Sequence, residues 1–268
     1  MSVAGDFFQY RDGNLHRVDS TLSETLTVAD SFLVHDHQVR TIERHFQRFS
    51  SCITDPDTKA SLPGFFTSVI EKLDQPGTWF PRIEYRELLP VHERLVLRLR
   101  EAPERTETLS LWTSDEPDPR KHPLVKGPDL SACQQLRRAA NLHGADEAVI
   151  VDERGYIADG ALSSIVWWHN GVLLGPDSST HWLPSITRDL VFSIAKLAGY
   201  ETGETQAKPE DLAGCEVWSL SALQGIRLAT SWGDIELAPG KLHQSFAKRL
   251  SLMSSPLSKV ERNITQPS

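Results

Sequence analysis

The stretch GADEAVIVDERGYIADGALSSIVWW, residues 144–168, decides the fold class. Its runs AVIV, YIADGA and IVWW are rich in β-branched and aromatic residues and are broken by a turn signal at Glu153–Gly155. GVLL follows a second turn signal at His169–Gly171, so four strands of one sheet are predicted. Asp159 stands mid-strand beside Gly160 and close to Ser163 and Ser164. A carboxylate in that apolar company needs a protonated ring nitrogen or an arginine, unless it faces water on an edge strand.

Outward from this sheet, DLSACQQLRRAANLHG (129–144) sets Leu130, Cys133, Leu136 and Ala140 on one face and ends at Gly144, a capped helix. LPSITRDLVFSIAKLAGY (183–200) is a second amphipathic helix that stops at Gly199. Its first turn, Ser185 to Arg188, offers free backbone amides, a hydroxyl and a cation, which together favour an anion; the plainer reading is an N-cap and a solvated arginine. CEVWSLSALQGIRLATSW (215–232) returns to the sheet, GKLHQSFAKRLSLM (240–253) makes the last helix, and the polar residues after it are expected to be loose.

Toward the N-terminus, DFFQYRDGNLHRVD reads as a hairpin around Asp12-Gly13, and DSFLVHDHQVR (30–40) as a strand. TIERHFQRFSSCI carries Ile42, His45, Phe46, Phe49 and Ile53 at helical spacing, which makes His45 a packing histidine, while Arg44 and Arg48 form a surface row. A short helix is expected in LPGFFTSVIEKLD (62–74), then strands in WFPRIEYREL and RLVLRLREA. These place Arg82, Arg98 and Arg100 on strands, the last two on one face, and Arg40 at a strand end where a side chain can enter a cleft. Residues 113–128, TSDEPDPRKHPLVKGP, hold four prolines and no periodicity, as an interdomain connection does. Lys126 within it reads, alone, as a solvated loop lysine.

Composition is that of a globular protein, with a net charge of −8 that argues against a general nucleic-acid binder. The three cysteines are scattered and in no CxxC arrangement, so neither a metal site nor a disulfide framework is indicated, and a reducing cytoplasm is expected. The first thirty residues lack the order of a signal peptide and no apolar run approaches membrane-spanning length, so no membrane association is expected.

Taken in chain order, five stretches resemble the class IV pyridoxal-phosphate enzymes, which include branched-chain and D-amino-acid aminotransferases and aminodeoxychorismate lyase. They are VRTIERHFQRF, VKGPDL, GADEAVIVDERGYIADGALSSIVWW, LPSITR and EVWSLSALQGI. The resemblance implies a mixed α+β, two-domain fold of the D-amino-acid aminotransferase type, known as fold type IV. The expected parts are an N-terminal domain over 1–118, a connection over 119–127, a larger cofactor domain over 128–254 and a flexible tail over 255–268.

It further implies pyridoxal 5'-phosphate as cofactor and Lys126 as the Schiff-base lysine. Arg40, Ile186, Thr187, Ser221 and Ala222 would hold its phosphate. Asp159 stands where the family carries glutamate against the pyridine nitrogen, Ser164 where it usually has asparagine, with Ser163 beside it, and Ser185 replaces the glycine of L-P-G-I-T-R. Substrate contacts are assigned to Arg82, Arg98, Arg100 and Leu223, and a homodimer is expected. The implied activity is amino-group transfer between an amino acid and a 2-oxo acid. The Ser221-Ala222-Leu223 sequence keeps open a lyase giving 4-aminobenzoate and pyruvate, and the departures from the family pattern keep open a non-catalytic relative.

Overall fold

A computed structural model describes residues 5–18 and 25–259 of the chain. These form two compact units. The first takes the described residues up to Glu104, then Val125–Pro128, then those from Met253 on; the second takes Arg105–Leu124 and Asp129–Leu252.

In the first unit the expected hairpin is β1 (Asp6–Arg11) with β2 (Asn14–Val18), turned by Asp12 and Gly13 at φ of 50° and 79°. Two positive φ values in succession match the right-handed twist of the flanking strands. The single strand expected over 30–40 is instead three short ones, β3 (Val28–Ser31), β4 (Val34–His35) and β5 (Gln38–Arg40). The chain doubles back at Asp36 and His37, both at positive φ, a pair lacking the Asp-Gly signature that marks such turns in sequence. Helix α1 (Ile42–Ser51) follows, and α2 (Pro56–Leu73) starts six residues earlier than expected. Asp55 caps it by accepting the Thr58 amide at 2.8 Å, Pro56 opens its first turn, and Pro63 is carried inside.

With β6 (Thr78–Trp79), β7 (Arg82–Tyr85) and β8 (Leu95–Leu99), the unit builds a five-stranded antiparallel sheet ordered β2-β1-β8-β7-β3. Ile83 and Tyr85 join the core containing Phe46, Phe49, Phe65 and Phe66 from α1 and α2, where Phe46 and Phe66 stack at 4.0 Å. The pleat therefore turns Arg82 and Glu84 to the other face. A second sheet is ordered β17-β5-β4-β6, with β17 being Ser254–Pro256. Those residues, expected to be loose, pair with Gln38–Arg40, and Leu257 beside them is buried. Residues 260–268 of the expected tail lie outside the described residues.

The second unit contains β9 (Thr108–Thr113), α3 (Leu130–Leu142), β10 (Glu147–Val151), β11 (Ile157–Gly160), β12 (Ser164–His169), β13 (Val172–Pro176), α4 (Ile186–Leu197), β14 (Glu201–Thr205), β15 (Glu216–Ser221), β16 (Gly225–Trp232) and α5 (His243–Ser251). All four strands read from 144–174 are present. The eight-stranded sheet runs β11-β10-β9-β16-β15-β12-β13-β14, with β9 parallel to both neighbours and β13 parallel to β14. β9 thus packs here, although it precedes the connection at 119–127. Polar β14, ETGET, is an edge strand that alternation alone does not reveal. α3 buries Cys133, Leu136 and Ala140 against Ala148, Ile150 and Ala158. It closes as expected, with Gly144 at φ 75° and the Ala145 amide on the Ala140 carbonyl at 2.9 Å. All three cysteines are free, and no helix among the described residues is long and apolar enough to cross a membrane.

Candidate active site

Within the first unit, Lys126 is fixed by its main chain. Its carbonyl accepts the amide of Ala29 on β3 at 2.7 Å, and Gly127 follows at φ 140°. A Cβ at Gly127 would lie 2.7 Å from the Ala29 nitrogen, so only glycine allows this approach. Lys126 is half-buried, whereas Lys121, the other lysine of the connection, is exposed.

Asp30, next to Ala29, anchors a buried cluster. His45 Nδ1 lies 2.8 Å from Oδ1, Arg48 donates through Nε and Nη2 at 2.8 Å, and the Ser31 amide donates at 2.7 Å. Burial alone would raise the Asp30 pKa, but His45 and Arg48 outweigh it and hold the carboxyl well below the usual range. Burial pushes the His45 pKa down, Asp30 opposes this, and the charges of Arg48 and Lys126 add to it. His45 is a partnered core histidine. Arg48, expected on the surface, is turned inward by Asp30.

Arg40 ends β5, and Thr41 after it occupies the left-handed region at φ 43°. That is uncommon for a β-branched residue, and its buried Oγ1 finds no hydrogen-bond partner among the described residues. Arg82 and Arg98 are cross-strand neighbours. Arg82 Nε and Arg86 Nε donate to Glu84 at 2.6 and 2.9 Å. Arg100 donates to the Phe80 carbonyl at 2.8 Å; burial, with the charges of Arg82 and Arg98, brings its pKa down to about 10. Four guanidinium groups thus gather around one buried carboxylate, and an anionic group is what such a patch accepts.

Within the second unit, Asp159 is buried on β11. Its Oδ1 accepts the Gly160 amide at 3.1 Å and its Oδ2 the Leu183 amide at 3.0 Å. Arg120 Nη1 lies 3.6 Å away. Burial lifts the carboxyl to about 6, against the pull of Arg120, the two amides and Arg188. Leu183 leads into α4, so Asp159 is tied to the approach of the helix that carries Ile186 and Thr187. Ser185 caps that helix by accepting the Arg188 amide at 3.2 Å. The amides of Ile186 and Thr187 belong to the first turn, which has no intrahelical acceptor for them. Arg188, read as a first-turn cation, is committed elsewhere: its Nη2 donates to Pro176 O at 2.9 Å and Glu204 at 3.0 Å, and it stacks 3.7 Å from the Trp182 ring.

Gly160 donates to the Ser163 carbonyl at 2.8 Å, closing the tight loop between Asp159 and Ser164, which starts β12. Ser221 Oγ accepts the Gln224 amide at 3.1 Å and shapes the turn that holds Ala222 and Leu223. Sequence reasoning missed Arg120, Thr41 and the Glu84–Arg86 pair. Arg120 sits in aperiodic sequence, and its ties to Asp118 and Asp159 are tertiary; positive φ at Thr41 has no compositional mark.

Residues 27–232 match the Amino-transferase class IV family model. A putative branched-chain-amino-acid aminotransferase of Methanocaldococcus jannaschii is 34% identical over 91 residues, 34% of this chain and 32% of that protein. The branched-chain-amino-acid aminotransferase of Escherichia coli is 30% identical over 104 residues, 39% of this chain and 34% of that protein. The matched stretch thus spans about a third of the length of these curated relatives. Among solved structures, a hypothetical aminotransferase from Mycobacterium tuberculosis in PLP-bound form superposes with a TM-score of 0.78 at 19% identity, covering 93% of this chain and 98% of that one. The Escherichia coli branched-chain amino acid aminotransferase gives 0.73 at 18% identity, covering 91% and 93%. With the fold shared and most of its length matched, the chain belongs to the class IV aminotransferase family.

Proposed function

We propose that the protein is a pyridoxal-5'-phosphate-dependent aminotransferase, moving an amino group between an amino acid and a 2-oxo acid. The observation that carries this reading is the buried carboxylate of Asp159, held by two backbone amides at the approach to α4. The residues fit the cofactor. An ionised carboxylate accepts up to about four hydrogen bonds, so Asp159 retains capacity for a protonated ring nitrogen. Within the second unit the α4 amides suit a phosphate, and within the first unit Arg40 with the unpartnered Thr41 hydroxyl suits an anionic group.

When bound, the cofactor supplies an electron sink for the carbon that bears the amino group. Lys126 would hold the cofactor through its amine and would move the proton at the substrate Cα. Asp159 would hold the proton on the ring nitrogen, in the place of the family's longer Glu. Arg40, Ile186, Thr187, Ser221 and Ala222 would hold the phosphate, and Ser163 and Ser164 lie close to Asp159 in the chain. Arg82, Arg98 and Arg100 orient the substrate carboxylate, and Leu223 borders the substrate.

The test is spectroscopic. Protein mixed with the cofactor gains a visible absorption band that borohydride abolishes, and Lys126→Ala lacks it; an unchanged band in Lys126→Ala overturns the assignment of the lysine. A donor and acceptor screen then detects amino-group transfer. Because Ser221-Ala222-Leu223 resembles the lyase loop, the same preparation is offered aminodeoxychorismate, and release of 4-aminobenzoate would favour that activity instead. A homodimer in the cytoplasm completes the proposal, with molar mass by light scattering as its check.

A further inference from the structure

Asp118, Arg120 and Asp159 form a line of charges within the second unit. Arg120 donates through Nε and Nη2 to Asp118, at 2.8 Å for the Nη2 bond, which leaves Nη1 toward Asp159 at 3.6 Å. The side chains of Arg120 and Asp159 are only 5% and 6% exposed. At that separation the contact is electrostatic, not a hydrogen bond. The amides of Gly160 and Leu183 aim the Asp159 oxygens, and Arg120 acts on their charge.

We propose that Arg120 is a positioning residue for the reaction proposed above: its guanidinium keeps the Asp159 carboxyl ionised, so that Asp159 can hold the proton of the cofactor ring. The inference rests on that reading of Asp159. The need for Arg120 follows from burial, which alone drives the carboxyl toward its neutral form and leaves it titrating at about 6 even with Arg120 present. Arg188 also faces Asp159 and pulls in the same direction, more weakly than Arg120, and it is shared with Glu204 and Asp189. Asp118 and the Cys133 thiol face Arg120, and Asp118 takes up part of its charge.

An opposite charge within reach of a carboxylate is worth about one to three pH units. Carboxyl titration by NMR of protein labelled with 13C-aspartate, without cofactor, reads this directly, the Asp159 signal being identified by its loss in Asp159→Asn. The expected midpoint is about 6 in the wild type. It should rise by about one to three units in Arg120→Gln, return toward the wild type in Arg120→Lys, and fall in Asp118→Asn, which releases the guanidinium. In cofactor-loaded protein the acid limb of the transfer rate should move up with it in Arg120→Gln.

A wild-type midpoint in Arg120→Gln overturns the proposal, and so does a displaced midpoint with an unmoved acid limb. Should Arg120→Gln fail to fold, an unmoved midpoint in Asp118→Asn overturns it. A wild-type protein that takes up no cofactor would overturn the functional reading and the ring-nitrogen part of this one, while the titration still decides the ion pair.

Discussion

Asp30 and Asp159 are both buried carboxylates, and their surroundings send them opposite ways. Asp30 meets His45 and a two-pronged Arg48, and attraction wins over desolvation. Its folded pKa lies below the unfolded one, so its contribution to stability is present above about pH 4 and is lost as pH falls further. Asp30→Asn should cost about 3–5 kcal/mol at neutral pH, measured by urea unfolding, because Arg48 loses its counter-charge. For Asp159 desolvation wins, and the folded pKa is raised from 3.8 to about 6. The sign therefore reverses. The ionised group costs stability above about 6, and the cost fades as pH falls through 6 toward 3.8. Asp159→Asn should unfold at a higher temperature than the wild type at pH above 7 by calorimetry without cofactor, and the difference should vanish in acid. A stability cost at a residue placed for chemistry is the expected mark of a functional position.

Elements are set in place by short local devices, and these differ in what they do for the site. Gly127 and Gly144 both adopt positive φ, but nothing lies within 4 Å of a Cβ at Gly144, whereas one at Gly127 meets the β3 backbone. Gly144→Ala should cost only the conformational term, about 1 kcal/mol. Gly127→Ala should cost about 1–3 kcal/mol more by overpacking, and it should lower cofactor uptake by displacing Lys126; equal losses in the two variants would show that the close approach is unimportant. At α5 the buried Glu216 accepts the amides of Lys241, Leu242 and His243 at 2.8–3.1 Å and the Trp218 indole at 2.9 Å. A side chain from β15 thus supplies the cap that Leu242 lacks. Helix ends at Gly144 and Gly199 were legible because glycine announces a left-handed cap. This cap was not, since its donor and acceptors meet only in the folded unit.

On the scale of the whole molecule, the first unit is assembled from three separate pieces of chain. β17 returns to pair with β5 at Ser254↔Arg40, which fixes the strand that ends in Arg40. Truncation after Leu252 should therefore strip amide-exchange protection from residues 38–40 and lower the stability of the first unit, while the exchange of β10 and β12 stays unchanged; uniform loss in both units would contradict the division. The sequence by itself determined the sheet at 144–174, the capped helices α3 and α4, the hairpin at Asp12-Gly13, and the family through Lys126, Asp159 and LPSITR. The strands and helices among these rest on periodicity and turn chemistry within a few residues of one another, and the family on the resemblance of five stretches in chain order. Tertiary structure alone decided that β9 joins the second unit, that 254–256 is a strand, that Arg48 turns inward to Asp30 and that Arg120 faces Asp159. Each of these pairs groups far apart in the chain, and their energy depends on burial and on Coulomb attraction at a few ångströms, which no local pattern encodes.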